Sequence, residues 1–167
     1  MKKEFLAYEN DEESGYINMS SYDKKSRAFE MTAVCGISCA NCECHTAKEI
    51  PPLLDYLVGV GIPAEKLPCM GCRSLKGNCP VLGETCATYV CAHKRGVEFC
   101  FECVDFPCEK LNPAADRANV LPHNLKVYNL CIIKNRGLAK FSEEAGMVKQ
   151  KYFKGKMLVG KGPEIEE

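Results

Sequence analysis

The sequence lacks any excess of charge. Its 22 basic residues balance 22 acidic ones, which disfavours a chain that grips nucleic acid by bulk electrostatics. No aromatic–basic stripe of the kind that stacks bases is present either. Apolar runs stop well short of the roughly 18–20 residues a membrane helix needs, so a spanning segment is excluded. The stretch from Met1 to Gly15 turns acidic before an apolar core of about 7–15 residues can form. It is therefore not read as a secretory signal, and a cytoplasmic location is expected. Walker and dinucleotide-binding glycine motifs are missing, as is an internal repeat beyond recurring cysteine pairs. No combination of serine, histidine and carboxylate is legible as a nucleophilic site.

Cysteine is what the chain has in quantity: 13 in 167 residues. Cys131 stands alone in an apolar helical pattern and reads as a small core residue. The other twelve lie between Cys35 and Cys108. In a reducing compartment such density points to metal ligation rather than to a disulfide scaffold. Apolar residues between the clusters (Leu53, Leu54, Leu57, Val90 and Phe99 among them) can support packing, which argues against a metallothionein-like coil.

The spacing identifies the candidate ligands. CGISCANC sets Cys35, Cys39 and Cys42 in a C-x3-C-x2-C array, with Cys44 two residues on as a weaker candidate. CMGC supplies Cys69 and Cys72, and Cys79 follows. Cys86 and Cys91 lie five apart, and FCFECVDFPC gives Cys100, Cys103 and Cys108. A C-x2-C step lets one tight turn aim two thiolates at one ion, and all-sulfur tetrahedral sites take zinc or iron–sulfur. Twelve thiolates suffice for three four-thiolate sites or for two with several spare thiols, and spacing leaves both their number and their grouping open. It also leaves open the choice between Zn2+ and cubane (4Fe–4S) clusters, with the C-x3-C-x2-C array leaning towards the latter. His45, one residue past Cys44, reads as a surface or capping residue, with replacement of a thiolate in a zinc site as the alternative; His93 reads as a surface or capping residue, and His123 as a helix-start residue.

Four segments follow from composition. Residues 1–30 form a polar, acidic arm, and residues 31–119 hold the cysteine-rich domain. Residues 120–156 carry a basic amphipathic helical pair split at Gly137, and residues 157–167 a loose acidic tail. Helices are expected over 46–58, delayed by Pro51-Pro52, over 84–94, and from Pro107 with Asp105 as cap. In the basic pair, Leu125, Tyr128 and Ile132, then Leu138, Phe141, Ala145, Val148 and Tyr152, recur at steps of three and four. The expected fold is a small, mainly α, irregular cysteine-rich domain with a C-terminal helical hairpin. The pair's lysines either form a solvated face or dock a protein partner.

CGISCANC, CMGC and CATYVCAHKRGVEFCFECVDFPCEKL together resemble the cysteine-rich family called domain of unknown function 3795. Cys35, Gly36, Cys39 and Cys42 match its opening. Cys91, Gly96, Cys100, Cys103, Phe106, Pro107, Cys108, Lys110 and Leu111 match its close. Cys44 stands where a small residue is common. The resemblance implies a metal-binding domain and supplies no reaction.

Three functions are weighed. The first is a non-catalytic iron–sulfur module serving electron transfer in, or as an accessory to, a larger redox enzyme. The second is a zinc-structured protein-interaction module. A distant third is an enzyme like those that use S-adenosylmethionine for radical chemistry. The C-x3-C-x2-C spacing suits it, but no train of strand–helix units follows Cys42.

Overall fold

A computed structural model describes residues 22–111, 124–158 and 162–165. Over these the chain is mainly helical. The helices are α1 (Arg27–Glu30), α2 (Glu43–Thr46), α3 (Pro51–Gly59), α4 (Ala87–Lys94), α5 (Leu125–Arg136) and α6 (Leu138–Lys154), joined by loops and 3₁₀ turns. Lys156–Leu158 pairs antiparallel with Gly162–Glu164, a short ladder that begins at the last residue of the segment read as the basic pair and runs into the one read as a loose tail. Among the described residues no helix is long and apolar enough to cross a membrane.

Local chemistry explains the starts and stops. Pro51 and Pro52 occupy the first turn of α3, where a missing N–H costs nothing and the fixed φ favours the helix. The Asn124 side chain accepts from the Val127 N–H at 3.2 Å and caps α5. The helix-start role read for His123 lies outside the described residues. Gly137, at φ 85° and ψ 160°, makes the turn into α6 in a conformation that only glycine adopts readily. No helix starts at Pro107: a 3₁₀ turn covers Glu109–Leu111. Asp105 caps nothing and instead pairs with Arg95.

The core has two parts of unequal size. In the larger, Leu125, Leu130, Ile132 and Ile133 of α5 meet Phe141, Ala145, Val148 and Tyr152 of α6, and both helices pack on Phe29, Phe99, Phe101 and Leu111. The period read from sequence holds along α6. Along α5 it is displaced: Tyr128 is exposed and Leu130 buried, because α5 covers the cysteine loops as well as α6. Within residues 22–30, grouped with the polar arm on composition, Tyr22 and Phe29 pack inward. Tyr22, Phe29 and Phe99 form an aromatic cluster, with Tyr22 and Phe29 each edge-on or tilted to a neighbour at 5.1–6.0 Å. The smaller part consists of Cys44, Ala47, Leu57 and Cys69, flanked by Leu53, Leu54, Ile62, Leu67 and Leu75. Half of its fully buried members are cysteines.

Candidate functional site

Cys39, Cys44 and Cys69 are buried, and the other ten cysteines are half-buried. None is bonded to another in a disulfide. Cys131 is thus less enclosed on α5 than a core residue.

Backbone hydrogen bonds bring distant cysteine loops together. The Cys69 N–H donates to the Cys44 carbonyl at 2.8 Å, laying the CMGC segment against α2. Three residues on, the Cys72 N–H donates to the Cys39 sulfur at 3.4 Å, and the Gly71 N–H donates to the Cys69 sulfur at 3.4 Å. The Cys86 N–H bonds the Gly77 carbonyl at 2.9 Å and the Gly77 N–H bonds the Cys72 carbonyl at 3.0 Å, so Cys86 hangs from the Cys72 loop. The Cys100 N–H reaches the Val34 carbonyl at 2.9 Å, beside Cys35. Cys91, Cys100, Cys103 and Cys108 line one cleft with Ala92 and Phe106. At its mouth Arg95 donates to the Cys103 sulfur at 3.4 Å and is held by Asp105.

The electrostatics follow from this crowding. Burial pushes the Cys39 thiol up to about 12; Cys42, Cys35 and Cys69 add to the rise and the Cys72 N–H opposes it. Burial, then the charge of Cys42, also pushes Cys44 up to about 12, with Cys79 and Cys69 contributing. Cys100 is pushed up to about 12 by burial and then by Cys35, Cys108, Cys91 and Cys103. Cys35, Cys42, Cys69 and Cys72 move the same way, burial leading in each. A buried thiolate is unfavourable unless a cation or donors compensate it.

Three residues near the thiols went unassigned or were assigned differently on sequence. His45, expected on the surface, is buried, with Nδ1 2.7 Å from the Cys69 carbonyl. A carbonyl only accepts, so Nδ1 carries a hydrogen, and in the neutral ring Nε2 then holds the lone pair. That Nε2 is buried without a hydrogen-bond partner. Periodicity could not show this, because the histidine is enclosed by a loop 24 residues away. Arg73, next to Cys72, lies 3.8 Å from the Phe29 ring centre. It donates to the Thr32 and Glu98 carbonyls at 2.9 and 2.7 Å and to the Glu98 carboxylate at 3.0 Å. It ties the CMGC loop to the aromatic core, and its place directly after a C-x2-C pair was the available signal. Lys149, on the face read as either solvated or partner-docking, turns inward instead. Its ammonium contacts the Asn41 carbonyl and the Glu43 carboxylate, both at 2.6 Å.

The donors suit a thiophilic metal, being twelve clustered sulfurs with N–H groups directed at three of them. As the side chains stand, no group of three or more His, Cys, Asp or Glu among the described residues converges on a point that would hold an ion.

What the fold and loops define is a small helical domain whose packing is organised around cysteine loops. Residues 31–113 match the family described as Protein of unknown function (DUF3795), and the chain is a member of that family. No curated protein and no solved structure matches it.

Proposed function

We propose that the chain binds metal through its clustered cysteines and serves, without catalysing a reaction itself, as an iron–sulfur electron-transfer or accessory module of a larger redox enzyme or complex. The observation that carries the reading is the set of N–H groups directed at sulfur: Cys72 N–H to Cys39, Gly71 N–H to Cys69, and Arg95 to Cys103. Such donors offset charge on ligating sulfur and tune the potential of a cluster. Cys35, Cys39, Cys42, Cys69, Cys72, Cys79, Cys86, Cys91, Cys100, Cys103 and Cys108 are the proposed ligands, with Cys44 added because it is buried beside Cys69.

One observation favours a second reading, a zinc-structured interaction module. The bare, enclosed Nε2 of His45 is the form of imidazole that binds zinc, and its Nδ1–H is anchored as ligating histidines usually are. Purification without oxygen, with iron, sulfide and zinc measured per chain, separates the two. A broad visible band near about 400 nm with matching iron and sulfide supports the redox module. A colourless protein with stoichiometric zinc replaces it with the scaffold, and a chain with neither metal ends both.

A further inference from the structure

Sequence spacing leaves open which thiols share a site, whereas the folded loops sort them. Resting on the metal-binding reading, we propose that the twelve thiols form three four-thiolate sites in a row: Cys42, Cys44, Cys69 and Cys79 at one end, Cys35, Cys39, Cys72 and Cys86 in the middle, and Cys91, Cys100, Cys103 and Cys108 at the other end.

The first group is fixed by the contact between α2 and the CMGC loop. Cys44 and Cys69 share the small apolar core with Cys42 against them, and their backbones are bonded at 2.8 Å. Cys79 lines a cavity with Pro68, Met70 and Leu75, so it faces the residues on either side of Cys69. The middle group is fixed by the Cys72 N–H on the Cys39 sulfur and by the Gly77 bridge that brings Cys86 to Cys72. Cys35 completes it: it sits in the turn that the Ala33 N–H closes on the Ile37 carbonyl, next to Cys39, and Arg73, beside Cys72, bonds the Thr32 carbonyl at the base of that turn. The third group is the cleft its four cysteines line together.

Neighbouring pairs in the sequence are therefore divided. CMGC gives Cys69 to one site and Cys72 to the next, and CGISCANC gives Cys39 to the middle site and Cys42 to the end. This is the arrangement of interleaved metal domains, in which each loop staples two sites. The middle group adjoins both ends, through Cys39 beside Cys42 and through the Cys100 N–H on the carbonyl before Cys35. The three N–H···S bonds described above fall in three different groups, so every site has at least one donor trimming its sulfur charge. As the side chains stand none of the groups converges on an ion, so closing a site brings its sulfurs together. Binding exchanges each thiol proton for a bond to the ion, with no change of oxidation state.

The test is zinc titration of the full chain followed by native mass spectrometry. About three ions per chain are expected if each ion takes four thiolates. Cys79→Ala, Cys86→Ala and Cys108→Ala should each remove one ion. Cys69→Ala combined with Cys79→Ala should still remove only one, and Cys79→Ala combined with Cys86→Ala should remove two. A same-group pair that removes two ions, or a cross-group pair that removes one, overturns the partition. A dithiol-bridging bromobimane applied to the metal-free wild type gives an independent map by peptide mass spectrometry. Bridges within the groups support the partition even if zinc does not bind, in which case only the metal reading fails. A majority of bridges between groups overturns it.

Discussion

At the scale of single residues, position relative to sulfur matters more than residue type. Arg95 and Arg73 are both arginines beside cysteines. Arg95 is an exposed cation bonded to Cys103, whereas Arg73 is half-buried and clamps two aromatic rings. Arg95→Gln is expected to leave the thermal melt unchanged and to weaken metal binding by about tenfold, the low end for outer partners of a metal ligand. Competition with a coloured chelator measures it. Phe99 is fully enclosed and touches Tyr22, Phe29 and Phe101. Phe99→Ala should cost about 3–5 kcal/mol in a denaturant melt, as cavities of that size do. Both the ligand candidates and Phe99 were legible in the sequence, because cysteine spacing and apolar type are local properties. The burial of His45 was not, since it depends on Cys69 arriving from a distant loop.

At the scale of elements, the helical pair acts as a clamp on the first cysteine turn. Asn129 of α5 donates to the Gly36 carbonyl at 2.8 Å, and Lys149 of α6 holds Asn41 and Glu43. A side chain at Gly36 would stand 3.0 Å from the Leu130 side chain and from the Lys126 carbonyl, at φ +85°. Gly36→Ala is therefore expected to destabilise the chain by more than about 1 kcal/mol, seen as a lower denaturation midpoint. Lys149→Ala should likewise lower the midpoint, by about 1 kcal/mol for a half-exposed charge bonded to a carbonyl and a carboxylate. Lys134→Glu with Lys154→Glu, both on exposed positions, should leave the midpoint within about 0.5 kcal/mol. If the pair also docks a partner, that double variant loses co-purification while keeping its metal. The existence and split of the two helices were readable from a period of three to four and from Gly137. Their direction towards the cysteine loops was not, because an amphipathic face shows that something is covered without showing what.

At the scale of the whole molecule, the two parts of the core differ in how much they owe to sulfur. The larger part holds eleven enclosed side chains beyond Phe29, all from ordinary apolar residues or tyrosine, whereas the smaller has Ala47 and Leu57 beside its two cysteines. Metal removal is expected to raise amide exchange across residues 42–79 while α5 and α6 keep their protection. Exchange rising equally over both parts would mean that the domain melts as one unit. The broad class, a small helical domain rich in cysteine, followed from composition. The grouping of the thiols required the folded loops, because interleaving joins residues that no local spacing relates. The bond from Asn129 to Gly36 spans 93 residues. A ribosome adding about 5–20 residues per second takes roughly 5–20 s to make that stretch. The cysteines of the first turn are therefore the earliest to emerge and among the last to be sheltered, so the time of greatest exposure to oxidants and wrong metals comes during the protein's own synthesis.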